Sequence, residues 1–164
     1  MTDPLIAEAM KKAAVAWVAV DDAPALALWC LPVDDALYVV SGPGEQSAPG
    51  LAEATEARVS LRGDHGGRIV TWPAEVTQVD PRSEEWSTVT PQLATKRLNA
   101  SGTAADLADR WASECTVVRL VPAGTPLPPS DTGEAAPPRD STAARPAKRP
   151  FRLHKVRGAS PRGR

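Results

Sequence analysis

Between Val15 and Ser41 the chain carries three apolar runs separated only by short acidic turns. Val15–Val20, Ala25–Val33 and Ala36–Ser41 are rich in β-branched, aromatic and other apolar residues, and Asp21-Asp22 and Asp34-Asp35 interrupt them. Short apolar runs joined by such turns predict an antiparallel meander. Each run is apolar nearly throughout instead of alternating. That predicts strands covered on both faces, as in a small closed barrel wrapped by helices or by a partner subunit.

The flanking sequence supplies the rest of such a barrel. Asp3 and Pro4 read as an N-cap and first helical position, and Leu5, Ile6, Ala9, Met10 and Ala13 recur at helical spacing, predicting a helix over 4–13. Gly42–Gly50 holds three glycines and two prolines in nine residues, which precludes a regular element. After a helical turn at 51–55, Ala57–Arg62 alternates, with Val59 and Leu61 facing in and Arg58, Ser60 and Arg62 facing out. Gly63–Gly67 reads as a hairpin loop, and Arg68–Val79 as a long strand with Val70, Trp72, Ala74 and Val76 on one face. Pro73 requires a bulge or an edge there, because it has no N–H to give a ladder. A short helix comes next around Glu84–Val89, restarting at Thr90-Pro91 and running to Leu98. Thr103–Asp106 resembles a capping box, opening a helix that buries Leu107, Ala108, Trp111 and Ala112. Cys115–Val121 is the last strand, closed by Pro122. The fold class is therefore α+β: a six-stranded, mostly antiparallel barrel with two to three flanking helices, over residues 1–122.

The charge distribution separates this body from the C-terminal stretch. Residues 1–129 hold 10 Lys and Arg against 17 Asp and Glu, a balance of −7, whereas residues 130–164 hold 9 against 3, a balance of +6. Nine of the 17 prolines lie from Pro122 onward. A stretch of that composition cannot bury enough apolar surface to offset its ordering entropy, so 123–164 is expected to be a disordered basic tail. It reads first as a solvated linker, then as a segment that docks on an acidic partner or on the chain's own acidic body. Nucleic acid is the least favoured partner: attraction to phosphate would be non-specific and salt-dependent, and Phe151 alone is available to stack on bases. No stretch approaches the ~18–20 apolar residues of a membrane span. The start Met1-Thr2-Asp3-Pro4 lacks a secretory pattern, so a cytoplasmic protein is expected. Cys30 and Cys115 lie in apolar runs, form no Cys-x-x-Cys, and are read as reduced, buried thiols without a metal.

Side chains suited to catalysis are scarce, and no catalytic residue is identified. His65, the body's only histidine, sits in the Gly-rich hairpin and reads as a turn residue. No nucleophile elbow, phosphate-binding loop of the Walker type or dinucleotide fingerprint occurs. Any redox chemistry would belong to a bound cofactor. The Gly42–Gly50 loop is the most informative local feature, because Gly42 and Gly44 admit close approach to the backbone and amides there can hold an anion. Lys96 and Arg97 end a helix and point about 100° apart, so at most one meets a given phosphate. Arg58 and Arg62 share one strand face. The five tryptophans read as core, with Trp72 or Trp17 as the alternative stacking platform for a flat ring.

The segments Leu37-Tyr-Val-Val-Ser-Gly-Pro-Gly-Glu, Pro49-Gly-Leu51 through Arg58-Val-Ser-Leu61, and Arg68-Ile-Val-Thr-Trp-Pro-Ala-Glu-Val resemble the split-barrel flavin-binding superfamily. That superfamily includes pyridoxamine 5′-phosphate oxidases and deazaflavin (coenzyme F420)-dependent reductases. The likeness covers roughly residues 4–121, and Lys96-Arg97-Leu98-Asn99 is similar to short actinobacterial-type members. The resemblance implies a homodimer with sites at the subunit interface, binding FMN or F420 and passing hydride to a small-molecule substrate. It implies that the phosphate meets Ser41, Gly42, Gly44, Glu45, Gln46 and Ser47; Arg58, Arg62, Trp72 and Lys96 are the further cofactor-binding candidates from the residues themselves. Many relatives carry Lys or Arg in this loop where the chain has Glu45. An acid facing phosphate is repulsive, so Arg58, Arg62 or Lys96 has to compensate for it. The alternative is a non-catalytic split-barrel dimer that acts as a binding protein.

Overall fold

A computed structural model describes residues 2–62 and 69–128, within a unit spanning Met1–Gly133. The Gly63–Gly67 hairpin with His65, and the tail from residue 129, lie outside the described residues. Ten elements succeed one another: α1 (Pro4–Met10), β1 (Val15–Ala19), β2 (Leu26–Trp29), β3 (Leu31–Val33), β4 (Ala36–Ser41), β5 (Glu56–Arg62), β6 (Ile69–Gln78), α2 (Glu84–Lys96), α3 (Ala104–Glu114) and β7 (Thr116–Pro122).

All pairings are antiparallel, in the order β2-β1-β5-β6-β7-β4-β3. The two outermost strands, β2 and β3, are the halves of the single run read as Ala25–Val33, parted only at Cys30. The first half pairs with β1 and the second with β4. One bent strand thus joins both edges of the sheet and nearly closes it into a barrel. The six expected strands become seven at this bend, where the Cys30 N–H still donates to the Ala14 carbonyl at 2.9 Å. Closure answers the edge problem that an open sheet of this kind would have.

Two apolar clusters arise from the two-residue period of the strands. Ala16 and Val18 of β1, Leu37 and Val39 of β4, Ala57, Val59 and Leu61 of β5, and Val70, Trp72, Ala74 and Val76 of β6 fill the barrel. Ile6 and Met10 of α1 join them. The other face of β4, with Ala36, Tyr38 and Val40, lies under Trp86, Val89 and Leu93 of α2 and Leu107 and Trp111 of α3. Among the described strands only β4 is buried at every position. The first apolar run does not share this double cover: Val15 and Trp17 remain 43% and 42% exposed, because α2 and α3 wrap only the β3–β4–β7 side.

The helices also depart from expectation at their ends. α1 stops at Met10, and Ala13 N–H turns back to the Met10 carbonyl at 3.0 Å so that the chain can enter β1. α2 is one helix through Pro91 rather than two. Pro91 and Ser87 are both exposed, so the carbonyl left without its i+4 donor meets water, while Trp86, Val89 and Leu93 hold both halves down. The capping box at Thr103 forms as expected, with Thr103 N–H on Asp106 Oδ2 at 2.8 Å and Asp106 N–H on Thr103 Oγ1 at 3.2 Å.

Pro73 pairs in register with Arg58, with no bulge. Its other side lies where β7 ends, since the β6–β7 ladder reaches only Ala74 and Pro122. An edge therefore accommodates the missing donor. Beyond Pro122 the chain continues along β6, with Ala123 N–H on the Pro73 carbonyl (2.8 Å) and Leu127 N–H on the Thr71 carbonyl (2.7 Å).

Trp72 is 1% exposed at the centre of the barrel interior. Trp72→Ala is expected to lower unfolding free energy by about 3–5 kcal/mol, the range for large aromatic truncations in a core. Urea denaturation followed by circular dichroism measures it, and a loss below about 1 kcal/mol contradicts the assigned packing.

Candidate functional site

The turn after β4 is a compact unit. Gly42 N–H donates to the Gln46 carbonyl (3.2 Å) and Glu45 N–H to the Gly42 carbonyl (3.0 Å). Two of the amides expected to hold an anion are therefore used within the turn. Gly44 has φ +75°, and a Cβ there would lie 2.8 Å from Arg110 Nη1, so the position favours glycine on both counts.

Glu45 points inward, and its carboxylate is fully buried. Oε2 accepts from Arg97 Nε at 2.7 Å; Oε1 accepts from Arg110 Nη2 at 2.5 Å and from Trp111 Nε1 at 3.0 Å. The same guanidiniums reach the turn backbone, Arg110 Nη1 donating to the Pro43 carbonyl at 2.8 Å and Arg97 Nη2 to the Gly44 carbonyl at 3.3 Å. Burial pushes the Glu45 pKa up, but hydrogen bonds from Trp111, Arg110 and Arg97 outweigh it and hold the carboxyl below its ordinary 4.5. The cations that compensate this acid are thus Arg97 and Arg110, not Arg58, Arg62 or Lys96.

Gln46 makes a second attachment. Its Oε1 accepts from Trp29 N–H at 2.8 Å and its Nε2 donates to the Trp29 carbonyl at 2.9 Å. The side-chain amide behaves as a strand partner for the last residue of β2, beside the Cys30 bend. Adjacent residues of one turn therefore tie together α2, α3 and the point where the barrel closes.

Two concavities flank this turn. The larger, about 640 Å³, lies between the end of α1 and start of β1 (Lys11–Val15), the Trp29–Pro32 bend, and the C-terminal end of α2 with the two residues after it (Gln92 and Lys96–Leu98). Its walls are apolar at Trp29, Leu31, Pro32 and Leu98, and Lys11, Lys12, Lys96 and Arg97 border it. Lys11 pairs with Glu8 at 2.9 Å and Arg97 with Glu45, whereas Lys96 is exposed and bonds no described side chain. The smaller, about 270 Å³, gathers Ser41, Gly42, Ser47, Ala48, Pro49, Glu114 and Thr116.

The residues singled out from the sequence do not converge on one place. Ser41, Gly42 and Ser47 line the small hollow, Lys96 the large groove, and Gly44, Glu45 and Gln46 belong to the turn. Arg58 and Arg62 project from the outer face of β5, and Arg62, opposite Ile69, lies at the other end of the barrel from Ser41, opposite Thr116. Trp72 is enclosed in the core and has no free face, whereas Trp17 is half-exposed. Trp29, Gln92 and the Lys11–Lys12 pair are not legible as site residues in the sequence. Lys11-Lys12 between a helix and a strand is the available signal, but only the fold sets it against the far end of α2.

Of the described thiols and the tyrosine, only Cys30 lines either cavity. Burial pushes the Cys30 thiol up to about 12 and raises Cys115 as well. Tyr38, held by burial and by its 2.8 Å bond to Glu85, is also pushed up to about 12. Among the described residues no three His, Cys, Asp or Glu cluster to hold a metal. No described helix is long and apolar enough to cross a membrane.

The Glu45 cluster generates a test of its own. Because the folded pKa lies below the unfolded one, the stabilisation is present above about pH 4.5 and is lost as pH falls through the folded value. Glu45→Gln is expected to cost about 2–3 kcal/mol at pH 7. That is less than the roughly 3–5 of a fully enclosed pair, since Arg97 and Arg110 keep partial access to water. Acid titration of unfolding free energy should show a shallower decline below pH 4.5 in the variant, with Asp80 and Asp106, also held low, retaining theirs. An unchanged acid limb would contradict the cluster.

No protein-family model and no curated protein matches the chain. Solved structures do. HutZ, the heme storage protein of Vibrio cholerae, aligns with TM-score 0.53 and 16% identity over 76% of this chain and 92% of its own. A candidate pyridoxamine 5′-phosphate oxidase of Listeria innocua aligns with TM-score 0.51 and 14% identity, over 73% and 92%. A candidate 5-nitroimidazole antibiotic resistance protein of Bacteroides thetaiotaomicron aligns with TM-score 0.53 and 14% identity, over 77% and 83%. Identities this low speak for architecture alone, and they agree with the nearly closed antiparallel barrel described above. By fold, the chain is a split-barrel protein, similar in architecture to these three structures.

Proposed function

We propose that this protein binds a flavin or deazaflavin, FMN or F420, in the groove between the Trp29–Pro32 bend and the last turn of α2. The observation that carries the reading is that groove in a split barrel: about 640 Å³, within the usual range for small-molecule sites, with apolar walls and a cationic border. Trp29, Leu31 and Pro32 would hold the flat ring and exclude water from it. Lys96, free of described partners, would meet the phosphate, with Lys11 beside it. The bound cofactor supplies hydride chemistry, and the role of the protein toward a small-molecule substrate is orientation and shielding. The haem of the Vibrio cholerae protein does not carry over to this groove. Among the described residues its lining holds no His, Met or Tyr, and its one described thiol, Cys30, stays protonated.

We infer a homodimer as well. The outer face of β1 and β6 leaves Val15, Trp17 and Ile69 exposed, at 43%, 42% and 68%. Val15 also borders the groove, so a second copy seated on this face would wall the site. A second reading, a dimer that binds without catalysing, is favoured by the described lining of the groove, which holds Lys and Arg but no Asp, Glu or His.

Separate titrations with FMN and F420, followed by visible absorbance and fluorescence, test the proposal. Binding of one at micromolar concentration is expected. Lys96→Glu should weaken it about tenfold, equivalent to about 1.4 kcal/mol, and riboflavin, lacking the phosphate, should bind more weakly than FMN. Failure of both cofactors at high micromolar concentration removes the oxidoreductase reading. Turnover by the loaded dimer then separates catalysis from simple binding.

A further inference from the structure

The turn after β4 reaches both walls of the groove. Gln46 clamps the backbone of Trp29 through two hydrogen bonds, at 2.8 and 2.9 Å. Glu45 holds Arg97, which also lines the groove, at 2.7 Å. Trp29 ends β2, and at Cys30 the strand leaves β1 for β4. Trp29 is still in register with Val15 of β1, but β2 is the outermost strand in the order and has no strand partner on its other side. Here a side-chain amide supplies both the missing acceptor and the missing donor.

We propose that Gln46 is a positioning residue for the groove: its amide fixes the Trp29 wall relative to the Arg97 wall, which Glu45 fixes from the same turn, and so sets the width available to a flat ligand. This rests on the reading that the groove is the cofactor site. Gln46 lies behind Trp29 and does not line the groove, so its effect on a ligand is indirect. An amide is the side chain that suits this place. A carboxylate of similar shape accepts from Trp29 N–H but meets the Trp29 carbonyl with an unshared pair, and an aliphatic side chain leaves both groups unpaired. The neighbouring Glu45 has its own partners in Arg97, Arg110 and Trp111 and cannot substitute for the amide.

The test compares Gln46→Leu, Gln46→Glu and Gln46→His with the unaltered dimer, using FMN as the probe. Hydrogen–deuterium exchange without ligand should rise at least tenfold at the Trp29 amide in Gln46→Leu, and the helices α2 and α3 should keep their protection. FMN affinity should fall about five- to tenfold in Gln46→Leu and Gln46→Glu. The fluorescence of bound FMN, quenched by a nearby tryptophan ring, should change in yield. Gln46→His can donate through one nitrogen and accept through the other, and should recover part of both effects. Unaltered exchange at Trp29 overturns the proposal. So does raised exchange with unaltered FMN affinity and fluorescence. If the unaltered protein binds no FMN or F420, the groove reading fails by itself, and the exchange arm still decides whether Gln46 holds the wall.

Discussion

The buried carboxylate of Glu45 is the interaction on which the upper part of the molecule depends. A single negative charge, removed from water, is matched by two guanidiniums and an indole N–H that come from α2 and α3. Such a group is costly to bury unless every lone pair is engaged, and here hydrogen bonds from Arg97, Arg110 and Trp111 meet it. The arrangement therefore selects one placement of the turn. It also directs where the two helices end against the barrel. Without it, the turn would keep the Gln46–Trp29 pair and the guanidinium bonds to the Pro43 and Gly44 carbonyls, but Arg97 and Arg110 would face no countercharge.

Closure of the barrel depends on a related device one residue further on. A sheet whose edges belong to the same strand needs a point where that strand changes partners. Cys30 is that point, with Trp29 and Leu31 on either side in different ladders. The Gln46 amide pairs with the backbone of Trp29, the last residue before that point. Glu45 and Gln46, adjacent in the turn, face different elements, Glu45 meeting Arg97, Arg110 and Trp111 and Gln46 meeting Trp29. A dipeptide that reads as ligand-facing polarity in the sequence is instead the fastening of the fold. The groove beside it is a consequence of the bend, framed by α1 on one side and the last turn of α2 on the other.

Much of the architecture is legible in the sequence because it rests on local period and punctuation. The alternation of Ala57–Arg62, the two-residue spacing from Val70 to Val76, and the Thr103–Asp106 cap each report their element directly. The bend at Cys30 is not legible, since an apolar run carries no mark of where it changes partners. Pro91 suggests a helix break that the packing of Trp86, Val89 and Leu93 overrides. The site is harder to read for a different reason. Ser41, Gly42 and Ser47 do share a hollow, but nothing in the sequence alone sets Glu45 against Arg110, 65 residues away. Likewise Trp72 and Trp29 look alike in the sequence. One fills the barrel and the other borders a groove, according only to which face of its strand the barrel encloses.

The proposed ligand position is the seam where the barrel closes, not the turn that the sequence pattern singles out. Amide chemical-shift mapping during titration of the isotopically labelled protein with FMN tests that location most directly. A ligand at the seam should produce the largest changes at Lys11–Val15, Trp29–Leu31 and Lys96–Leu98. Changes centred instead on Ser41–Ala48 and Glu114–Thr116, with the seam unaffected, would contradict it.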